Sequence, residues 1–171
     1  MKLVVPSIEY EESYIQMVRE FSEQGEVFIP FVLSENYSDF PAMIDRLASY
    51  SRGEQLATVF VANSSYWLIN TNEKVVGCSN LRHDLNDELL VLGGHIGYGI
   101  KPSERKKGYA KLILNLTLPR AKSNGITKAL LTVNKANLGS VKAIQSNGGV
   151  LEAEKKVSGQ EGLVQYYWVE T

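Results

Sequence analysis

The sequence predicts an α/β (α+β) chain in which one mixed sheet of six to seven strands is flanked by about four helices. Three observations carry this. Runs rich in β-branched and aromatic residues alternate with stretches whose apolar residues recur at helical spacing. A basic, glycine-containing turn, Arg105-Lys106-Lys107-Gly108-Tyr109-Ala110, lies between the strand-like 95–100 and a helix carrying Tyr109, Leu112, Ile113 and Leu116 at i, i+3, i+4 and i+7. The chain closes with two strand patterns, 150–157 and 163–170, around a turn at 159–162. The order reads strand, two helices, three strands, helix, strand, helix, two strands, which suits a sheet covered by helices.

Residues 3–5 form a short first strand, and Ser7 is a candidate helix cap. Tyr10, Tyr14, Met17, Val18 and Phe21 then lie on one helical stripe. A second helix is signalled by Ser38 or Asp39 as cap, Pro41 in its first turn, and Phe40, Met43, Ile44 and Leu47 inside. Residues 28–37, between them, read as an aromatic-bearing loop. Strands at 66–69 and 74–82 are joined by a turn at Thr71-Asn72-Glu73. After the polar segment 83–88, the apolar run from Leu89 reads as one long strand ending at Ile100. The helix from Gly108 to about Ser123 contains Pro119, which removes a hydrogen bond to Asn115 and predicts a kink or an early end. Residues 128–133 form a buried strand. Asn137 caps a helix with Leu138, Val141 and Ile144, and Gly148 stops it.

At 171 residues the chain is read as a single domain, 1–171, long enough to bury a core without staples. Its net charge of -1 argues against a general role on nucleic acid or a membrane surface. Cys78 is alone, so no intramolecular disulfide forms, which suits a reducing compartment; it reads as a small hydrophobe within a strand. No secretory signal or spanning segment is evident, and the expected location is cytoplasmic.

Against that weakly acidic background, residues 101–111 hold five cations (Lys101, Arg105, Lys106, Lys107 and Lys111) and one acid, Glu104. The first backbone N–H groups of a helix have no intrahelical partners, and the helix dipole reinforces them. The turn therefore reads as a diphosphate cradle.

These residues resemble the GNAT superfamily of acyl-CoA N-acyltransferases, whose signature is Arg/Gln-x-x-Gly-x-Gly/Ala after a strand. Arg105 to Ala110 fits it. The glycine-broken strand ending at Ile100, the following strand at 129–133, and Asn134-x-x-Asn137-x-x-Ser140 opening a helix that ends at Gly148 agree as well. The likeness covers roughly 74–169, with its specific motifs within 94–148. Gly93-Gly94-His95-Ile96-Gly97-Tyr98 also looks like the ribosomal-protein acetyltransferase branch.

The resemblance implies a GNAT fold whose central strands, ending near Ile100 and Val133, splay apart to hold acyl-CoA. It implies acetyl-CoA as cosubstrate, no metal, and direct attack by a primary amine of a small molecule, peptide or protein within a ternary complex. Main-chain groups of Arg105, Lys106, Lys107, Gly108, Tyr109 and Ala110 would serve the pyrophosphate. Tyr98, Gly99 and Ile100 would pair with the pantetheine arm, and Asn137 and Ser140 would contact the pantetheine or the sulfur end. A homodimer is common among relatives. An alternative is a CoA-binding sensor or scaffold domain without turnover.

Three needs follow from the chemistry. An ammonium of pKa about 10.4 must lose a proton, the developing oxyanion needs a donor near residue 98, and the thiolate benefits from a proton donor. His95 is the candidate base, since imidazole titrates near 6.5; the other reading is a histidine satisfied by backbone partners. His83 is a second candidate, and Glu88 reads as solvated charge. The tyrosine common in relatives seven residues after the helix asparagine is Ile144 here, which donates nothing. Ser140 or Tyr109 is a candidate replacement.

Overall fold

The computed structural model describes residues 1–57 and 60–171. In chain order the elements are β1 (Lys2–Val4), α1 (Glu11–Glu23), α2 (Phe40–Ser51), β2 (Asn63–Ile69), β3 (Val75–Arg82), α3 (Asp87–Val91) and β4 (Ile96–Ile100). There follow α4 (Tyr109–Ser123), β5 (Lys128–Asn134), α5 (Leu138–Gln145), β6 (Val150–Lys155) and β7 (Val164–Glu170). The α/β class and the strand count stand.

The strands differ from the expectation in their grouping. They form a four-stranded sheet, β1-β2-β3-β4, and a three-stranded sheet, β5-β7-β6, with every named pair antiparallel. The two sheets meet at one isolated bridge, Gly94 with Leu131. A sequence shows which segments are extended, but ladder edges depend on partners far away in the chain.

Cβ atoms alternate across a strand, and the first sheet is covered on both faces, so β2 and β3 are buried almost continuously, polar Asn63, Ser65, Ser79 and Asn80 included. Trp67, Ile69, Val75 and Cys78 face α1 and α2 in one cluster with Tyr14, Met17, Phe40 and Met43. Trp67 is fully buried and stacks on Tyr14 at 4.5 Å between ring centroids. Leu68, Val76 and Ile100 face the opposite way, onto Ile113 of α4. β5 and β7 supply the neighbouring cluster around Leu131, Ile144 and Tyr167.

Several boundaries follow local chemistry. Asp39 caps α2 by accepting from Ala42 N–H at 3.0 Å. Ser7 makes no side-chain cap; a single 3-10 turn, Ile8–Tyr10, intervenes before α1. The helix through Pro119 continues to Ser123 and does not end early. The long strand expected from Leu89 is also corrected. Asn86 caps α3 by accepting from Leu89 N–H at 2.9 Å, and Asp87 and Glu88 suit its positive end. Gly93 and Gly94 then take positive φ (121° and 62°), which breaks the run before β4 begins.

The inter-sheet joint is compact. His95 N–H donates to the Leu130 carbonyl at 2.7 Å, and Leu130 N–H donates back to His95 Nδ1 at 2.9 Å. Gly93 N–H donates to Thr132 Oγ1 at 2.8 Å. A Cβ on Gly94 would run into the Leu130 carbonyl oxygen, so the strands close here only around a glycine.

Two outcomes follow. Replacing Gly94 by alanine should cost on the order of 2–4 kcal/mol, combining a strained φ with a steric clash, read as a lower denaturant midpoint. His95 gives a pH dependence: burial first, then the positive Arg82, holds its imidazole below the usual value, with Asp84 opposing. The unfolded chain therefore takes up this proton first. Stability is full above about pH 6.5 and is lost as pH falls from there toward the depressed folded value. Denaturant midpoints between pH 8 and 5 should fall less steeply in His95→Gln than in the wild type. His83, also lowered chiefly by burial, leaves a residual slope of the same sign.

Candidate active site

The basic turn is anchored from the far side by α1. Lys101, buried, pairs with Glu20 at 3.1 Å, and Ser103 N–H donates to the same carboxylate at 3.2 Å. Arg105 places Nη1 and Nη2 on the two oxygens of Glu26, each at 2.6 Å. Its Nε donates to the Ile100 carbonyl at 3.1 Å, and its guanidinium lies 5.4 Å from the centre of the Phe21 ring. The Arg105 fork holds the Glu26 carboxyl below its usual range, against an opposing burial effect. Lys107 pairs with Glu104 at 2.9 Å.

The side chains of Lys101, Arg105 and Lys107 are thus committed to acids, leaving Lys106 and Lys111 without an ion pair among the described residues. Lys106 and Gly108 both take left-handed φ, 61° and 82°. Two such residues around Lys107 turn successive N–H groups into a concave nest. The first helical bond is Leu112 N–H to the Gly108 carbonyl, 3.1 Å, and Gly108 has no side chain to cap α4. The N–H groups of residues 106–111 have no backbone acceptor among the described residues. A Cβ built on Gly108 meets nothing within 4 Å, so the space over the nest is open. Tyr109 and Ala110 are half-buried against the Ile113 cluster.

β4 presents the second element. Arg82 N–H donates to the His95 carbonyl and Lys101 N–H to the Val76 carbonyl, bracketing the β3–β4 ladder. Main-chain direction alternates in an antiparallel pair, so residues 95, 97, 99 and 101 turn toward β3 while 96, 98 and 100 turn outward. Tyr98 therefore offers its N–H and carbonyl on the open edge and Ile100 its N–H, the Ile100 carbonyl being taken by Arg105, while Gly99 turns its own groups to β3. Gly99 has another reason to be glycine: a Cβ there would strike the Ile29 carbonyl oxygen of the 28–37 loop.

α5 closes the site. Asn137 Oδ1 caps it by accepting from Ser140 N–H at 3.1 Å. Ser140 Oγ shares a 2.7 Å hydrogen bond with the Tyr98 hydroxyl, linking β4 to α5. Burial pushes the Tyr98 phenol up to about 12, against a lowering contribution from Ser140. Ile144 is 1% exposed and belongs to the core. His95 lies in the inter-sheet joint, its Nδ1 occupied, and His83 Nε2 contacts Ser64 Oγ at 2.8 Å. Cys78 is buried, which pushes its thiol up strongly.

On the face of the first sheet opposite α4 lies a cavity of about 240 Å³, lined by Phe31, Phe60, Asn63, Arg82, Glu88 and Leu89 among others. Sequence reading passed over Arg82 and Phe60, whereas Phe31 belongs to the aromatic-bearing loop at 28–37. An arginine ending an otherwise apolar strand was the one available signal. The acids Glu20 and Glu26, which hold the turn, gave none, because Glu26 and Arg105 lie 79 positions apart. Among the described residues no cluster of metal-ligating side chains occurs, and no helix is long and apolar enough to cross a membrane.

No curated protein matches the chain by sequence. Solved structures resemble it in fold. A GNAT-family acetyltransferase from Streptococcus pneumoniae superposes with a TM-score of 0.67 at 15% identity, covering 99% of both chains. A mutant spermidine N-acetyltransferase from Vibrio cholerae gives 0.64 at 14%, covering 99% of this chain and 95% of its own. The microcin C7 self-immunity acetyltransferase MccE, solved with acetyl-CoA and AMP, gives 0.66 at 15%, covering 99% and 91%. The profile of the acetyltransferase (GNAT) family matches residues 29–148, which hold the whole turn, the open strand edge and the α5 cap, and the chain belongs to that family of acyltransferases.

Proposed function

We propose that this chain is an acetyl-CoA-dependent N-acetyltransferase acting on a primary amine by direct attack in a ternary complex. The observation that carries the reading is the run of acceptor-free N–H groups at 106–111, opening onto free space over Gly108. When bound, acetyl-CoA supplies a thioester: the amine nitrogen bonds to its carbonyl carbon, the C–S bond breaks, and the surplus amine proton passes to water.

The chain's own residues divide the work. Main-chain donors of Lys106 to Ala110 take the pyrophosphate, with Lys106 and Lys111 as the cations free to approach it. Arg105 acts indirectly, holding the turn against Phe21 of α1 and Glu26 just beyond it. Tyr98 and Ile100 receive the pantetheine arm on the open edge, and Gly99 makes room for the 28–37 loop. The Tyr98 N–H is placed to stabilise negative charge on the acyl oxygen. Asn137 shapes the end of α5 as its cap.

The hydroxyl pair Tyr98–Ser140 replaces the tyrosine that Ile144 lacks. A phenol pushed up to about 12 holds its proton at neutral pH, so the pair stabilises the departing thiolate by hydrogen bonding. A free thiolate of pKa about 8.5 needs no more. We assign His95 a positioning role, because its Nδ1 lone pair is already used by Leu130 N–H. The lone buried thiol of Cys78 fits a cytoplasmic setting.

Buried Ile144 at the family's tyrosine position favours one second reading, a CoA-binding domain without turnover. Release of free thiol from acetyl-CoA with a broad amine panel decides between them. Binding without acetylation of any amine or protein N-terminus would establish the second. Gly108→Val should weaken acetyl-CoA binding at least tenfold by calorimetry while the fold survives; unchanged affinity removes the pyrophosphate from this turn. Tyr98→Phe should lower kcat roughly tenfold, with the acetyl-CoA KM held within about twofold. An unaltered kcat takes the hydroxyl pair out of the mechanism.

A further inference from the structure

Arg82, the last residue of β3, is a cation without a counter-ion among the described residues. Its Nη1 donates to the Gly93 and Gly94 carbonyls at 3.1 and 3.0 Å, which fixes the plane of the guanidinium. Its Nε and Nη2 make no hydrogen bond, and no carboxylate pairs with it, among the described residues. Burial lowers the group to about 10, and no neighbouring acid opposes that effect. The side chain lines the 240 Å³ cavity on the face away from α4. A partly buried guanidinium with one edge free matches a planar carboxylate, because two parallel N–H donors meet two oxygens where water screens poorly.

The geometry points to a small amino carboxylate as the acceptor, its carboxylate taken by Nε and Nη2 of Arg82 and its amine directed to the open edge of β4. This deepens, and rests on, the acetyltransferase reading. Position supports it. A Cβ built on Gly97 would lie 3.5 Å from Arg82 Nη2, so the guanidinium stands over β4 one residue before Tyr98. Successive strand residues are about 3.3 Å apart, which leaves room for only a few bonds between the carboxylate and the reacting nitrogen. A glycine at 97 keeps that approach clear.

The remaining lining fits the rest of such a molecule. Glu88 is exposed on the same cavity and provides the opposite pole for an arriving ammonium. Phe31 and Phe60 stack at 5.1 Å between centroids and form an apolar wall for a side chain. A polyamine has no group for the guanidinium and would bring a second cation against it.

Matched amines that differ only in the carboxylate test this on the wild-type protein: phenylalanine against phenethylamine, and leucine against isopentylamine, in a thiol-release assay. The carboxylate-bearing member should be favoured at least tenfold in kcat/KM. That preference should collapse in Arg82→Met while the acetyl-CoA KM is retained. Equal or reversed preference in the wild type overturns the carboxylate site and leaves the acetyltransferase reading intact. If no amine is acetylated although the cofactor binds, the catalytic reading fails instead. Calorimetry of the same amino acids on the CoA-loaded protein then decides the site: binding lost in Arg82→Met upholds it, and no binding to the wild type overturns it.

Discussion

Two strands that meet at one point and then share no ladder set the terms for everything else. β4 and β5 are joined by Gly94 with Leu131 and by the paired bonds of His95 with Leu130. Had the ladder continued, the outward groups of Tyr98 and Ile100 would have found partners in β5, and no edge would remain for a ligand. An unpaired edge normally invites aggregation. Here it lies between two packed sheets, with α5 bonded to it through Ser140 and α4 beside it.

Holding that edge open takes stiffness on both sides. The turn before α4 owes its shape to acids distant in the chain, Glu20 on α1 holding Lys101 and Glu26 just after α1 gripping both ends of the Arg105 fork. Partly exposed pairs of this kind contribute little to global stability, typically about 0–1 kcal/mol each. Their effect is positional: they spend cationic side chains on geometry, while the main-chain N–H groups of 106–111 have no backbone acceptor among the described residues. The basic character legible at 101–111 is therefore largely scaffold.

The same division recurs across the first sheet. On one face β3 meets α4 through Val76 and a Ser79–Thr117 hydroxyl pair; on the other, Val75 and Cys78 join the α1–α2 core and Arg82 ends the strand beside the cavity. Glycines 97 and 99 thin the strand on that face, so that the 28–37 loop and the guanidinium both approach β4 closely.

Local signals were enough for most elements. Asp39, Asn137 and the glycine turns marked ends that the structure keeps, because a cap or a positive φ is decided within a few residues. The turn before α4 was legible for the same reason: Gly108, with its positive φ, and the start of the helix lie next to each other in the chain. The helix at 87–91 was misread as strand, since a short apolar run carries no reliable period. By itself the sequence determined the class of the fold, the family, and the place of the glycine-containing turn before α4, all of which depend on neighbours in the chain. Only the tertiary structure decided that the strands divide into two sheets, that His95 Nδ1 is bonded to Leu130, that Tyr98 meets Ser140, and that Arg82 faces a cavity without a counter-ion. Each of these depends on which distant backbone lies across the gap, and no local pattern encodes that.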